Sequence, residues 1–121
     1  MATTYKVLGM TGAAGGSGNG AGTLTATTNT NLYTVPASKA AVVSSIIICN
    51  QAASAATYRI AVRPAGAAVD SRYYIVYGAT VAASDSTVLT IGLTLATTDI
   101  VTVYASASTL SFSLFGSELD V

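Results

Sequence analysis

From Leu32 to Phe115 the chain alternates apolar and polar residues within short segments, and turn formers interrupt it about every ten residues. No window repeats at the helical period, so the pattern admits strands and leaves no room for a helical domain. Residues 32–35 lead into a turn at Pro36-Ala37-Ser38-Lys39, followed by a long apolar strand over 41–50. Residues 57–62 set Tyr58, Ile60 and Val62 on one face and Arg59, Ala61 and Arg63 on the other, ending at Pro64-Ala65-Gly66. Strands over 72–77, 87–95, 100–105 and 110–115 follow, the last two with Val101, Val103 and Ala105, and Leu110, Phe112 and Leu114, on their apolar faces. With a short N-terminal strand over 5–8, about eight strands result, which suits an all-β chain folded as one antiparallel β-sandwich, jelly-roll or immunoglobulin-like.

Seven of the eleven glycines fall between Gly9 and Gly22. Such a stretch has little side chain to bury and much backbone entropy to lose, which predicts a mobile loop or extended arm. The chain then divides into residues 1–30, an N-terminal strand with a flexible Gly-rich arm, and 31–121, the sandwich. A strand on such an arm, including Tyr5 and Lys6, is placed to pair with a neighbouring copy.

Charge is scarce: 8% of the residues are charged, against 51% hydrophobic, and the net charge is zero. An average domain is about a quarter charged, so this surface is dressed mainly with Ser, Thr, Asn and Gly. Such a surface loses its water cheaply, at a gain of roughly 25 cal/mol per Å² of apolar area, whereas an unpaired buried charge is costly. A part made to pack against other protein is expected. Without a basic stripe, nucleic acid is not an expected partner. The basic residues concentrate between Lys39 and Arg72 and four of the five acids in the last third, which predicts two electrically distinct edges suited to contact between copies. No apolar run reaches the roughly 20 residues that span a bilayer, and the N-terminus lacks a signal-peptide pattern, so no membrane partner is expected and synthesis in the cytoplasm is.

The inventory also narrows chemistry. With no histidine, Ser-His-Asp and Cys-His systems are excluded. Cys49 lies in an apolar run and reads as a small hydrophobe. Ser38 beside Lys39 reads as an ordinary turn, Asp85 and Asp99 as turn residues and not an acid–base pair, and turn oxygens at Asp70, Asp85 and Asp99 lack the Asp-x-Asp-x-Asp series of a calcium loop. The Gly-rich stretch lacks a phosphate-loop ending. No catalytic residue, cofactor or metal is expected. Among the seven tyrosines, Tyr73 and Tyr77 share a face and read as core, while Tyr74 lies opposite with Arg72. Tyrosine and arginine are favoured interface anchors, so the candidate contact residues are Tyr5, Lys6, Arg59, Arg63, Arg72 and Tyr74.

The run Leu32-Tyr33-Thr34-Val35-Pro36-Ala37-Ser38-Lys39, leading to Cys49-Asn50, resembles the LYTVPAGK opening of small structural proteins of tailed bacteriophages. Ala56-Thr57-Tyr58-Arg59-Ile60-Ala61-Val62-Arg63-Pro64, Leu93-Thr94-Leu95-Ala96-Thr97-Thr98-Asp99-Ile100-Val101-Thr102-Val103-Tyr104 and Phe115-Gly116-Ser117-Glu118 are similar in the same way. Ser38 stands where that pattern has glycine. The resemblance implies a non-enzymatic virion β-sandwich: a capsid decoration or cement protein contacting the major capsid protein and further copies of itself, or alternatively a tail, baseplate or fibre component. A host-surface carbohydrate-binding module is a further alternative, with Tyr74 and Arg72 as its test residues.

Overall fold

A computed structural model describes residues 2–121. Ten strands run through them: β1 (Thr3–Gly12), β2 (Gly15–Gly18), β3 (Thr30–Thr34), β4 (Lys39–Asn50), β5 (Ala56–Arg63), β6 (Tyr74–Val81), β7 (Ser86–Leu89), β8 (Leu93–Leu95), β9 (Ile100–Ala105) and β10 (Leu110–Asp120). They make two antiparallel sheets, a six-stranded one ordered β2-β1-β10-β4-β7 with β8 also on β4, and a four-stranded one ordered β3-β9-β5-β6. The chain is the antiparallel β-sandwich that the alternation predicts, with ten strands in place of about eight. One extra strand arises because residues 87–95 do not run straight. β7 pairs with Ile46–Cys49 and β8 with Ala41–Val43, so both lie along the same long β4. The other is β2, inside the glycine stretch.

The alternation in β4, β5, β9 and β10 fixes the core. Val43, Ile46, Ile48, Ile60, Val101, Val103, Phe112 and Leu114 are all buried between the sheets. Tyr58 and Phe112 meet across them edge to face, with ring centroids 6.1 Å apart. Asn50, at the end of β4, is buried and holds the loops at that end of the sandwich. Its Nδ2 donates to the carbonyls of Ser54, Val81 and Ala82, and its Oδ1 accepts from the Ala52 amide and the Thr109 hydroxyl.

The Gly-rich stretch, expected to be a mobile arm, is laid down as sheet. β1 pairs with β10 of its own chain from Thr3 to Thr11 and turns tightly into β2. Beyond β2 the backbone stays stitched to the body: the amides of Gly22, Leu24, Thr27 and Thr34 donate to the carbonyls of Asn31, Gly12, Ala105 and Asn19. Close approach explains the composition here. A Cβ at Gly18, where φ is +108°, would lie 2.4 Å from the Leu8 carbonyl oxygen, so the hairpin tolerates no side chain at that position. Gly9, Gly16 and Gly18 thus admit neighbouring backbone instead of loosening the chain.

The turn before β4 contains Ser38 at φ 60°, a left-handed conformation costing a non-glycine residue roughly 1–2 kcal/mol. Ser38→Gly relieves that strain but adds about 0.5–1 kcal/mol of unfolded-state entropy. The expected outcome in urea unfolding is therefore unchanged stability or a gain of up to about 1.5 kcal/mol, and for the β-branched Ser38→Val a loss of about 1–2 kcal/mol.

Candidate functional site

The two outer faces of the sandwich differ in chemistry. On the six-stranded sheet, register sets the outward residues in rows: Tyr5, Ser117, Val42 and Thr94; then Val7, Phe115 and Ser45; then Met10, Ser113, Ile47 and Val88; then Ser111, Cys49 and Ser86. No residue in these rows is charged. Tyr5 is 85% and Val88 59% exposed, and Val7, Met10 and Val42 are exposed beside them. The face is therefore uncharged and mixes apolar with hydroxyl side chains over adjacent strands.

On the four-stranded sheet, Arg59 of β5 lies between Tyr104 of β9 and Tyr77 of β6. Its guanidinium carbon is 4.2 Å from each ring centroid, a cation–π arrangement on both sides. Tyr77 in turn meets Tyr74 edge to face, centroids 4.9 Å apart at an interplanar angle of 63°. Tyr74 and Tyr77 then form one side of an open depression of about 510 Å³ completed by Val69, Asp70 and Ser71. The Asp70 carboxylate accepts from the Arg72 amide at 3.2 Å, the Ser71 hydroxyl at 3.4 Å and the Arg72 guanidinium at 3.5 Å.

Tyr77 was expected in the core and is instead 61% exposed, on the same face as Tyr74. Two register breaks in β6 cause this. Ile75 and Gly78 are extra residues against β5, which pairs Arg59 with Tyr77, Ile60 with Val76 and Ala61 with Tyr74. Each bulge shifts the strand's phase, so Val76 faces inward and both tyrosines outward. Gly78, at φ +77°, is the sequence sign of one bulge, since a lone glycine in a strand pattern often marks such a site.

Of the candidate contact residues, Arg59 and Tyr74 lie together in this cluster and Tyr5 lies on the opposite, charge-free face. The other three are engaged within the chain. Arg63 donates to the Thr102 hydroxyl, the Asn31 side chain and the Ala67 carbonyl, and lies half-buried over the buried Thr102. Lys6 pairs with Glu118 at 3.2 Å and Arg72 with Asp70. Lys39 also pairs with Asp120, so one basic residue of the 39–72 stretch is matched by an acid of the C-terminal third.

Glu118 is a buried acid that nothing in the local sequence marks out. It is 6% exposed and accepts from the Tyr33 hydroxyl and the Lys6 ammonium. Burial raises its pKa, but the bonds from Tyr33 and Lys6, with the charges of Lys6 and Lys39, outweigh burial and hold the carboxyl below its ordinary value. Tyr33 is pushed up, first by burial and then by Glu118, so it stays a neutral donor. The Asp99 carboxylate accepts from the backbone amides of Ala65 and Ala96, and Asp85 from that of Ser86; both serve turns. Among the described residues no three His, Cys, Asp or Glu side chains gather as a metal site would require. No family model, curated protein or solved structure matches the chain.

Proposed function

We propose that this chain is a non-enzymatic structural protein of a tailed-phage virion, a capsid decoration protein that docks on the major capsid protein in many copies. The charge-free outer face of the six-stranded sheet carries this reading. Docking there buries Val7, Met10, Val42 and Val88 with no charge to desolvate; since they are 39–59% exposed, each contributes roughly 0.6–1.8 kcal/mol if the rest is covered. Repetition over a shell lattice adds avidity to a contact that is weak singly. The resemblance of residues 32–39 and the later segments to small phage virion proteins supplies the setting.

Imaging the virion by cryo-electron microscopy tests the location: density repeated over the shell supports the proposal, and density confined to the tail rejects it in favour of a tail component. The face is tested by the double variant Val42→Lys with Val88→Lys. Both side chains are exposed, so the variant is expected to melt within a few degrees of the parent, since surface changes usually cost about 0.5 kcal/mol or less. It should fail to rebind particles stripped of the protein. Parental occupancy by this variant would mean that another surface makes the contact.

A further inference from the structure

We propose that the depression between Tyr74, Tyr77, Ser71 and Asp70 binds a neutral saccharide. It lies on the four-stranded sheet, on the side of the sandwich away from the charge-free face, so a copy docked through that face keeps it open to solvent.

Three observations set the ligand class. The walls are aromatic, and Tyr77 has a partner that favours its present rotamer, because Arg59 is stacked against its ring at 4.2 Å and against Tyr104 at the same distance. An exposed tyrosine usually gives up rotamer freedom on binding, and the stacking on Arg59 and the edge contact with Tyr74 lower that cost here. The polar groups at the rim combine donors and acceptors. The hydroxyls of Tyr74 and Tyr77 can do both, the Ser71 hydroxyl, whose proton goes to Asp70, accepts, and the Asp70 carboxylate, 44% exposed, keeps acceptor capacity on Oδ2, where Arg72 alone donates. Aromatic surface with a few convergent polar groups is the makeup of a small-molecule site, and a sugar ring offers its C–H face to the one and its hydroxyls to the other.

Charge decides against the competing ligands. A quaternary ammonium would also favour tyrosine walls, but here it would enter beside Arg59 and Arg72, with the single carboxylate already matched by Arg72. An anion would have to enter against Asp70, the one charged side chain among the residues that line the depression. A neutral ligand pays neither penalty.

The test is an array of neutral oligosaccharides probed with the full chain, followed by titration of any ligand found and, in parallel, titration with choline as a cationic probe. Binding of at least one saccharide is expected, weakened about tenfold or more in both Tyr77→Ala and Asp70→Asn and unchanged in Gly92→Ala, where a Cβ meets open space. Because Asp70 and Tyr77 lie on different segments, Asp70→Asn answers the question even if Tyr77→Ala folds poorly. A silent array, saccharide binding indifferent to both variants, or binding of choline without any saccharide would each overturn the proposal.

Discussion

Gly9→Ala is expected to lower the unfolding free energy by roughly 3 kcal/mol, a large effect for one added methyl. Gly9 lies in β1, and a Cβ there would stand 2.2 Å from the Leu32 carbonyl oxygen and 3.2 Å from its carbon. Those atoms are backbone, and β3, to which they belong, is tied to β9 by the pairs Thr30–Val103 and Tyr33–Val101. No rotamer change can make room, so one strand must move by about 1 Å or more. The strands that would part carry Leu8, Leu32 and Tyr33, each 1% exposed or less and part of one core cluster. Gly92→Ala supplies the matched control, with nothing within 4 Å of its added methyl, and should shift stability by no more than about 0.5 kcal/mol. Urea unfolding of the two variants beside the parent is the measurement. Equal midpoints would mean that the N-terminal strand does not dock on the body in solution and that the stretch is an arm after all.

That experiment also marks where sequence reading stops. Period-two patterning located β4, β5, β9 and β10 and their buried residues, because each of those strands has one face on the core and its side chains report it. The glycine stretch carries no such report. Composition weighs glycine by its entropy, and what matters at Gly9 is a missing Cβ opposite a carbonyl 23 positions away, which becomes visible only once β1 and β3 are placed together. The tyrosine cluster shows the same limit at a finer scale. Arg59 and Tyr74 were legible as outward-facing anchors. Tyr77 was assigned to the wrong side because two bulges reset the phase of β6, and Tyr104 drew no notice until pairing set it opposite Arg59. Conversely, Arg63 and Lys6 looked available because nothing in a linear chain shows that Asn31, Thr102 and Glu118 will take up their donors. Charge and alternation are local properties. Who satisfies whom is a property of the pairing.

Glu118 offers the second large effect, and its pH dependence gives it a signature of its own. Glu118→Ala removes a buried carboxylate and leaves the Tyr33 hydroxyl without its acceptor inside the core, at a cost of about 3 kcal/mol near neutral pH. The folded-state pKa of Glu118 is depressed, so its contribution is fully present above the unfolded value of about 4.3 and is lost as pH falls through the lower folded value. Tyr33 acts in the opposite sense. Its folded pKa is raised, so its contribution holds below about 10 and is lost as pH rises through the folded value. Asp120 is also held low, by its hydrogen bond from Lys39, so the parent's acid limb mixes two carboxylates and the difference between parent and variant isolates one. Glu118→Gln sharpens the comparison, since the amide keeps an acceptor for Tyr33 and loses the charge that Lys6 and Lys39 stabilise. The urea midpoint of the parent should fall below pH about 4.5 more steeply than that of Glu118→Gln, with the two curves converging toward pH 2. Parallel curves would show that Glu118 titrates alike in the folded and unfolded chains, its bonds from Tyr33 and Lys6 doing no more for the charged form than burial takes away.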